Sequence, residues 1–399
     1  MSKRIPQDSF WMIKLGITHL LTEKQEWLDG KSIGLITNHT GVDENLTHTI
    51  ELLTEFNLVA LFSPEHGLWG AAQDGVKIAD STYRPNEKET DTGKQTLQVY
   101  SLYGKTPLVW TEALETLDVL IYDIQDVGAR YYTYLGTLLE TMKALEGSCV
   151  ECIVADRPNP IGGINVEGPM LESDYTSLVG PYPIPVCYGM TIGEIARLFH
   201  AEQGFNFPLK VARLQGWHRE MWHSKTGLQW VPPSPNMPTL ETATLYPGTC
   251  LFEGTNVSEG RGTTKPFEYI GAPWIDSQLW ATQLNEREFP GVQFRPIVFT
   301  PQFSKYEGEV CHGVALHITD SKQVAPIEVA VWMLSILITE HPSEFEFRET
   351  HFDRLAGSST LREALLAGTP CSEIIESWSI DIEQFRVRRE PYLLYYSEL

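Results

Sequence analysis

The stretch of residues 58–70, LVALFSPEHGLWG, constrains this chain more than any other. It opens with the apolar run 58–62, which is typical of a strand buried on both faces of a parallel sheet. Pro64 ends the run, because proline cannot donate a hydrogen bond to a sheet ladder. Glu65 and His66 follow at the carboxyl end of the strand, where open parallel sheets bind their ligands. A carboxylic acid beside an imidazole indicates a general acid, although a cap on the next helix or an arginine pair would also explain Glu65.

Strand and helix patterns alternate along the first 245 residues, which predicts an α/β fold with a mostly parallel sheet. The character changes from about residue 294, where alternating strand runs and two helices indicate a smaller α+β domain. We therefore divide the chain into a larger α/β domain over 12–245 and a smaller C-terminal domain over 246–399. Strands are predicted over 31–37, 58–62, 97–102, 118–124, 149–155, 209–214, 249–252, 294–299 and 314–318. Helices are predicted over 46–56, 111–117, 191–203, 326–339 and 360–366, and another helix ends at about residue 145. A long loop is predicted over 70–96.

Polar side chains follow four of the predicted parallel strands, at the point where each strand ends. If the strands are adjacent, their carboxyl ends lie at one edge of the sheet and these side chains converge there. Any one of these groups has a plain explanation as turn residues, since Asp and Asn are common in turns. Four such groups in one chain favour a binding site. The residues are Asn38 and His39; Glu65 and His66; Asp123, Gln125 and Asp126; and Asp156, Arg157 and Asn159.

Composition and missing motifs exclude several classes of function. The formal net charge of −22 disfavours partners such as nucleic acid or an anionic membrane surface. No apolar run is long enough to span a membrane, and the N-terminus has no signal-peptide pattern, so we expect a cytoplasmic protein. The chain has no GxGxxG after the first strand, no GxxxxGK[ST] loop and no GxSxG elbow, so no cofactor is predicted and a serine hydrolase is disfavoured. A metal centre built from His39, His66, Asp123 and Asp126 matches no known ligand spacing.

Nine long motifs stand in this order along the chain: GLITNHTGVD, LFSPEHGLWG, SLYG, DVLIYDIQDVGARYYTY, DRPNP, VEGP, PPSPNMPT, YPGTCLFEGTNVSEGRGTTKPFE and GAPWID. This set is similar to the motifs of the NamZ-type exo-β-N-acetylmuramidases. The resemblance implies a Rossmann-like catalytic domain, a smaller C-terminal domain beside the cleft, and hydrolysis that releases N-acetylmuramic acid (MurNAc) from the non-reducing end of peptidoglycan fragments. It also implies that Glu65, the glutamate of the PEHG motif, is catalytic.

A glycosidase needs further groups beside its acid, and the sequence leaves several candidates open. Glycosidases mostly use two carboxyl groups, and the second is one of Glu167, Asp123, Asp126 and Glu259. A muramic acid carries a lactyl carboxylate, which an arginine fork binds in two places. Arg130 is the first choice for this role and Arg261 the second, with Arg157 also near the predicted cleft. Tyr131, Asn236 and Asn256 are further candidates for substrate binding.

Two other function classes stay open from the sequence. One is a non-catalytic protein that binds peptidoglycan or sugar and has no use for the PEHG glutamate. The other is a metal-dependent hydrolase that uses His39 and His66. The oligomeric state is not predicted.

Overall fold

The computed structural model describes residues 13–73, 75–84, 96–104 and 111–396. The strands are β1 (Ile33–Thr37), β2 (Leu58–Ser63), β3 (Ser81–Tyr83), β4 (Leu97–Ser101), β5 (Val119–Asp123), β6 (Glu151–Ala155), β7 (Glu167–Met170), β8 (Pro185–Cys187), β9 (Leu209–Ala212), β10 (Tyr269–Ala272), β11 (Val292–Phe299) and β12 (Cys311–Ile318). The helices are α1 (Gly16–Glu23), α2 (Thr49–Leu52), α3 (Thr111–Leu114), α4 (Thr133–Leu145), α5 (Ile192–Gln203), α6 (Leu240–Thr249), α7 (Ser277–Asn285), α8 (Pro326–Glu340), α9 (Glu349–Ala356), α10 (Thr360–Leu366), α11 (Cys371–Glu376) and α12 (Ser379–Arg389).

The main sheet has seven strands in the order β3-β4-β2-β1-β5-β6-β9. All neighbours are parallel except β3, which runs antiparallel to β4 at the edge. The chain steps from β1 outward to β4 and then returns to the other side of β1 with β5. This is the doubly wound order of Rossmann-like folds, with its switch point between β1 and β5. The predicted α/β class with a mostly parallel sheet is confirmed.

The central strands are buried on both faces, as their continuous apolar runs predict. Every residue of β1 and β5 is buried. Ile33 and Leu35 belong to the apolar cluster on one face, while Ile36 belongs to the cluster on the other. That second cluster continues without a break into the C-terminal helices, and it includes Ile327 of α8. The two parts of the chain therefore share one large core.

The C-terminal part is built on the antiparallel sheet β10-β12-β11 and the helices around it. Helix α8 packs against α6, and both elements are mostly buried. The predicted α+β character of this part is confirmed. The predicted division between residues 245 and 246 falls inside α6, and that division stays a prediction; residues 12 and 397–399 lie outside the described ranges.

Two predicted elements are wrong. The helix predicted over 46–56 is a single turn, α2, because Leu46 has a left-handed backbone (φ 66°) and the His48 side chain caps the helix by accepting from Ile50 N–H. The strand predicted over 249–252 is helical instead, formed by the end of α6 and a 3₁₀ turn, Cys250–Gly254. The loop predicted over 70–96 contains β3, and its residues 74 and 85–95 lie outside the described part.

Within the described residues, no helix is both long enough and apolar enough to cross a membrane.

Candidate active site

Glu65 lies directly after β2, in the turn that Pro64 begins, and only 2% of it is exposed. Its carboxylate accepts one hydrogen bond on each oxygen. The Thr133 hydroxyl donates to Oε2 at 2.7 Å, and the Gly75 N–H donates to Oε1 at 3.1 Å. Because the two donors come from α4 and from the loop after β2, they fix the orientation of the carboxyl group from both sides.

His66 shapes the loop that carries Glu65. Its backbone is left-handed (φ 69°), and Gly67 continues the turn with φ 78°. The His66 ring pairs through Nδ1 with the carbonyl of Ala72 at 2.8 Å, and the Ala72 N–H donates to the His66 carbonyl at 3.3 Å. A left-handed non-glycine residue costs on the order of 1 kcal/mol, and these contacts offset that cost.

A cleft of about 470 Å³ opens beside Glu65, between the sheet edge and the C-terminal part. One wall comes from the PEHG loop, the start of α4 and the segment 231–238, and the other from the C-terminal part. The described lining residues are Glu65, His66, Tyr131, Tyr132, Thr133, Val179, Ser234, Asn236, Met237, Tyr246, Cys250, Glu253, Arg261, Phe267 and Leu355.

Aromatic rings form the floor that joins the two walls. Tyr132 meets Tyr246 edge to face, with ring centroids 5.8 Å apart, and Tyr246 meets Phe267 at 4.8 Å. Edge-to-face pairs of this kind add about 0.5–1.5 kcal/mol each beyond their buried area. These contacts join the two walls of the cleft along its floor.

Charged side chains are concentrated on the C-terminal wall. Arg261 Nη2 donates to Glu253 Oε1 at 2.6 Å, and Arg261 Nε lies 3.5 Å from Glu259 Oε1. Lys305 Nζ binds the other oxygen of Glu259 at 2.9 Å. Arg261 stands between two left-handed glycines, where a Cβ on Gly262 would lie 2.4 Å from a backbone oxygen. The loop can therefore hold Arg261 at the cleft only with glycine at that position.

The structure brings five of the sequence-predicted residues to this cleft. Glu65, His66, Tyr131, Asn236 and Arg261 all line it. Asn236 also donates to Gln73 Oε1 at 3.3 Å, which links the segment 231–238 to the PEHG loop. Their predicted roles in binding and catalysis stay predictions.

Gln125 and Arg157 line a separate, smaller crevice at the switch point of the sheet, with a volume of about 370 Å³. Arg157 Nε donates to Asp123 Oδ1 at 2.6 Å, and Nη2 donates to the Val42 carbonyl at 2.8 Å. This ion pair occupies the place where Rossmann-like proteins bind a ligand.

The prediction that Arg130 faces the cleft is wrong. Its side chain is fully buried, and the guanidinium donates four hydrogen bonds of 2.7–2.9 Å to backbone carbonyls. Two of those carbonyls belong to Leu355 and Ala356 at the end of α9. Burial lowers the pKa of Arg130 to about 10. Arg130 therefore ties the first domain to the C-terminal helices.

Five predicted carboxylates are held by other groups. Asp123 binds Arg157 and the Thr49 hydroxyl, and Glu259 binds Lys305. Glu167 accepts the N–H groups of Ile327 and Glu328 at 2.9 and 3.0 Å, so it caps α8. Burial raises the pKa of Glu167 and of Asp156 to about 7, and that of Asp126 to about 6. The partners of Asp156 are Thr191, Gly193 and Tyr395, and those of Asp126 are Tyr188 and Gly128.

The remaining predicted polar residues support loops instead of lining the cleft. Asn38 donates to the Tyr134 hydroxyl at 2.8 Å, and Asn159 donates to the Met190 carbonyl at 3.0 Å. Asn256 donates to the Glu344 carbonyl at 2.6 Å. His39 bonds the Pro232 carbonyl through Nε2 at 2.6 Å, and burial lowers its pKa, so the ring is neutral. These placements correct the expectation that all four strand ends contribute side chains to one site.

Among the described residues, no group of three or more His, Cys, Asp or Glu side chains is arranged to hold a metal ion. His39 and His66 each have one ring nitrogen bonded to a backbone carbonyl, and that nitrogen carries a proton in the neutral ring.

Sequence reasoning missed two residues that line the cleft. One donates a hydrogen bond to Glu65, and the other forms the ion pair with Arg261. Thr133 is one, hidden in the aromatic run RYYTY at the start of α4. Glu253 is the other, because the run around it was assigned to a strand end. The arrangement offers a buried carboxyl group, an aromatic floor and a charged wall, which suits acid-catalysed cleavage of a bound sugar.

Comparison with known proteins gives consistent matches over nearly the whole chain. Models of the N-terminal and C-terminal parts of "Exo-beta-N-acetylmuramidase NamZ" match residues 33–241 and 244–395. A peptidoglycan beta-N-acetylmuramidase NamZ from Bacillus subtilis (strain 168) is 45% identical over 96% of this chain and 91% of its own. Two crystal structures of DUF1343 family proteins from Bacteroides fragilis NCTC 9343 have the same fold. One has a TM-score of 0.85 at 37% identity over 96% of this chain and 99% of its own, and the other 0.75 at 30% over 97% and 99%.

Proposed function

Because this chain belongs to the exo-beta-N-acetylmuramidase NamZ family, we propose that it is a glycosidase that releases MurNAc from the non-reducing end of peptidoglycan fragments. Glu65 is the general acid of this reaction. The observation that carries the assignment is the buried Glu65 carboxyl group, held between Thr133 and Gly75 at the edge of a cleft of about 470 Å³.

The chemistry follows from this geometry. Protonated Glu65 gives its proton to the glycosidic oxygen as the bond between that oxygen and C1 of MurNAc breaks. Water then adds its hydroxyl group to C1, and its remaining proton restores the acid, so the overall reaction is hydrolysis. The Thr133 hydroxyl can donate to the ionised carboxylate or accept from the protonated one, so it holds Glu65 in both states.

The lactyl carboxylate of MurNAc requires a cation in the cleft, because the protein as a whole carries a formal charge of −22. Arg261 lines the cleft and is held in place by Glu253 and Glu259. Its planar fork matches a carboxylate in a way that a lysine ammonium does not. We assign Arg261 to recognition of the lactyl group, in place of Arg130.

Muropeptides or disaccharide fragments of peptidoglycan are the proposed substrates. The cytoplasmic location predicted from the N-terminal sequence stays a prediction.

Incubation with the disaccharide MurNAc-GlcNAc tests the proposed function. The expected result is release of free MurNAc and free N-acetylglucosamine (GlcNAc) in equal amounts, measured by chromatography and mass spectrometry. Binding of the disaccharide without turnover would instead support the sugar-binding alternative. Turnover that a chelator abolishes and added zinc restores would support the metal-dependent one.

A further inference from the structure

Glu253 is the second carboxylate in the described lining of the cleft. It lies on the wall formed by the C-terminal part, whereas Glu65 lies on the other wall. It lies in the 3₁₀ turn Cys250–Gly254, directly after α6 in the C-terminal part. Its side chain is 17% exposed, so it reaches the cleft while most of its surface is covered. Glu65, by contrast, stands on the sheet edge of the first domain. The cleft is therefore lined by one carboxylate from each of the two parts of the chain.

The neighbours of Glu253 keep it ionised. Arg261 donates to its Oε1 through Nη2 at 2.6 Å and through Nε at 3.3 Å, and His351 Nε2 lies 3.6 Å from its Oε2. Burial acts to raise the pKa of Glu253, but the charge of Arg261 and the contact with His351 outweigh it and lower the pKa to about 2. Glu253 is thus negatively charged at neutral pH.

The other carboxylates that sequence reasoning offered as partners of Glu65 do not fill this role. Asp123 is paired with Arg157, Glu167 caps α8, and Glu259 is buried against Lys305. Asp126 points its hydrogen-bonded oxygen at Tyr188 and Gly128 and is absent from the cleft lining. Within the part of the chain that the structure describes, Glu253 is the carboxylate that shares the cleft with Glu65.

We propose that Glu253 is the second catalytic carboxylate of the glycosidase. Glycoside hydrolysis passes through a transition state with positive charge at C1 and the ring oxygen, and an ionised carboxylate in the cleft stabilises that charge. Glu65 supplies the proton and Glu253 the negative charge, so the two groups have different roles set by their surroundings. Arg261, bonded to Glu253, orients that carboxylate. This inference rests on the proposed glycosidase function.

Two substrates with different leaving groups separate the two roles. A 4-nitrophenolate departs without protonation, whereas the sugar of MurNAc-GlcNAc needs a proton. Glu253→Gln should therefore reduce kcat by about 10²-fold or more on both MurNAc-GlcNAc and the 4-nitrophenyl β-glycoside of MurNAc, because C1 becomes positive in both reactions. An acid such as Glu65 affects the disaccharide far more than the aryl glycoside.

Glu202→Gln is the matched control. Glu202 also forms an ion pair with an arginine, Arg388, and its side chain is 18% exposed, but it lies on α5 away from the cleft. The control should keep kcat on both substrates within about twofold of wild type. It measures the effect of losing one paired carboxylate on folding and on net charge.

Unchanged kcat in Glu253→Gln, or a rise in KM for MurNAc substrates with kcat unchanged, would overturn the proposal and leave Glu253 as a support for Arg261. If Glu253→Gln does not fold, as judged by its thermal midpoint, Glu253→Asp replaces it. Glu253→Asp shortens the side chain by one methylene group and so moves the carboxylate away from C1. It should still lower kcat at least about tenfold on both substrates, and an unchanged kcat would overturn the proposal. Failure of the wild-type protein to cleave either substrate would instead refute the proposed function itself.

Discussion

At the scale of single residues, the three arginines that the sequence places near the cleft have different surroundings and therefore different roles. Arg130 is buried among backbone carbonyls, and Arg157 is paired with Asp123 at the switch point. Arg261 stands on the cleft wall beside Glu253. An arginine binds a ligand carboxylate only where its fork reaches the ligand, so of these three Arg261 fits the lactyl group.

Replacement of Arg261 by lysine tests that assignment. Arg261→Lys keeps the charge but loses the fork, so KM for the 4-nitrophenyl glycoside of MurNAc should rise about tenfold, since a bidentate charge-assisted pair contributes roughly 1.5–3 kcal/mol. The matching GlcNAc glycoside, which lacks the lactyl group, serves as the control and should show an unchanged KM. An equal rise in KM on both glycosides would mean that Arg261 does not bind the lactyl carboxylate.

At the scale of elements, the sequence predicts what depends on local pattern. The buried runs of β1, β2, β5 and β6 and the helix α5 are found where predicted. The roles of Arg130 and Glu167 were not predictable, because each depends on a contact with α9 or α8, far away in the chain. Glu65 could be identified because its strand, its proline stop and its motif are adjacent in sequence.

The cap of α8 predicts a pH dependence of stability. The unfolded chain loses the proton of Glu167 near its ordinary pKa of 4.5, but the folded protein holds it up to about pH 7. Between these values the folded state binds more protons, so this group's contribution to the free energy of unfolding falls as pH rises, by about 3 kcal/mol. Glu167→Gln keeps an acceptor oxygen for the two N–H groups and carries no charge. Its unfolding free energy, measured in urea from pH 5 to pH 8, should decline less than that of wild type. A slope equal to that of wild type would show that Glu167 does not titrate in this range.

At the scale of the whole molecule, the end of the chain fastens the C-terminal part to the first domain. The Tyr395 hydroxyl donates to Asp156 Oδ2 at 2.5 Å and accepts from the Leu214 N–H at 2.9 Å. The Leu394 N–H donates to Glu194 at 2.8 Å, so the tail crosses the β6–β9 edge of the sheet. Asp156 was predicted to bind substrate, and this long-range contact, which no local pattern reveals, is what occupies it.

Removal of the Tyr395 hydroxyl group measures how much this contact contributes to the free energy of unfolding. Tyr395→Phe should lower the free energy of unfolding by about 1–3 kcal/mol, because the buried Asp156 and Leu214 groups lose a partner. Turnover at temperatures where the variant is folded should equal that of wild type, since Tyr395 does not line the cleft. Chemical denaturation followed by tryptophan fluorescence gives the first value. A stability equal to that of wild type would mean that the contact contributes nothing net.

The central claim is that Glu65 is the acid of an exo-acting muramidase, and the measurement that tests it most directly compares Glu65→Gln with wild type on two substrates. On MurNAc-GlcNAc, release of free MurNAc should fall by about 10²–10⁴-fold, because glutamine fills the same space between Thr133 and Gly75 but has no proton to give. On the 4-nitrophenyl glycoside of MurNAc, whose leaving group needs no proton, the variant should keep most of its turnover. Release of MurNAc from the disaccharide by Glu65→Gln within a few-fold of wild type would contradict the account.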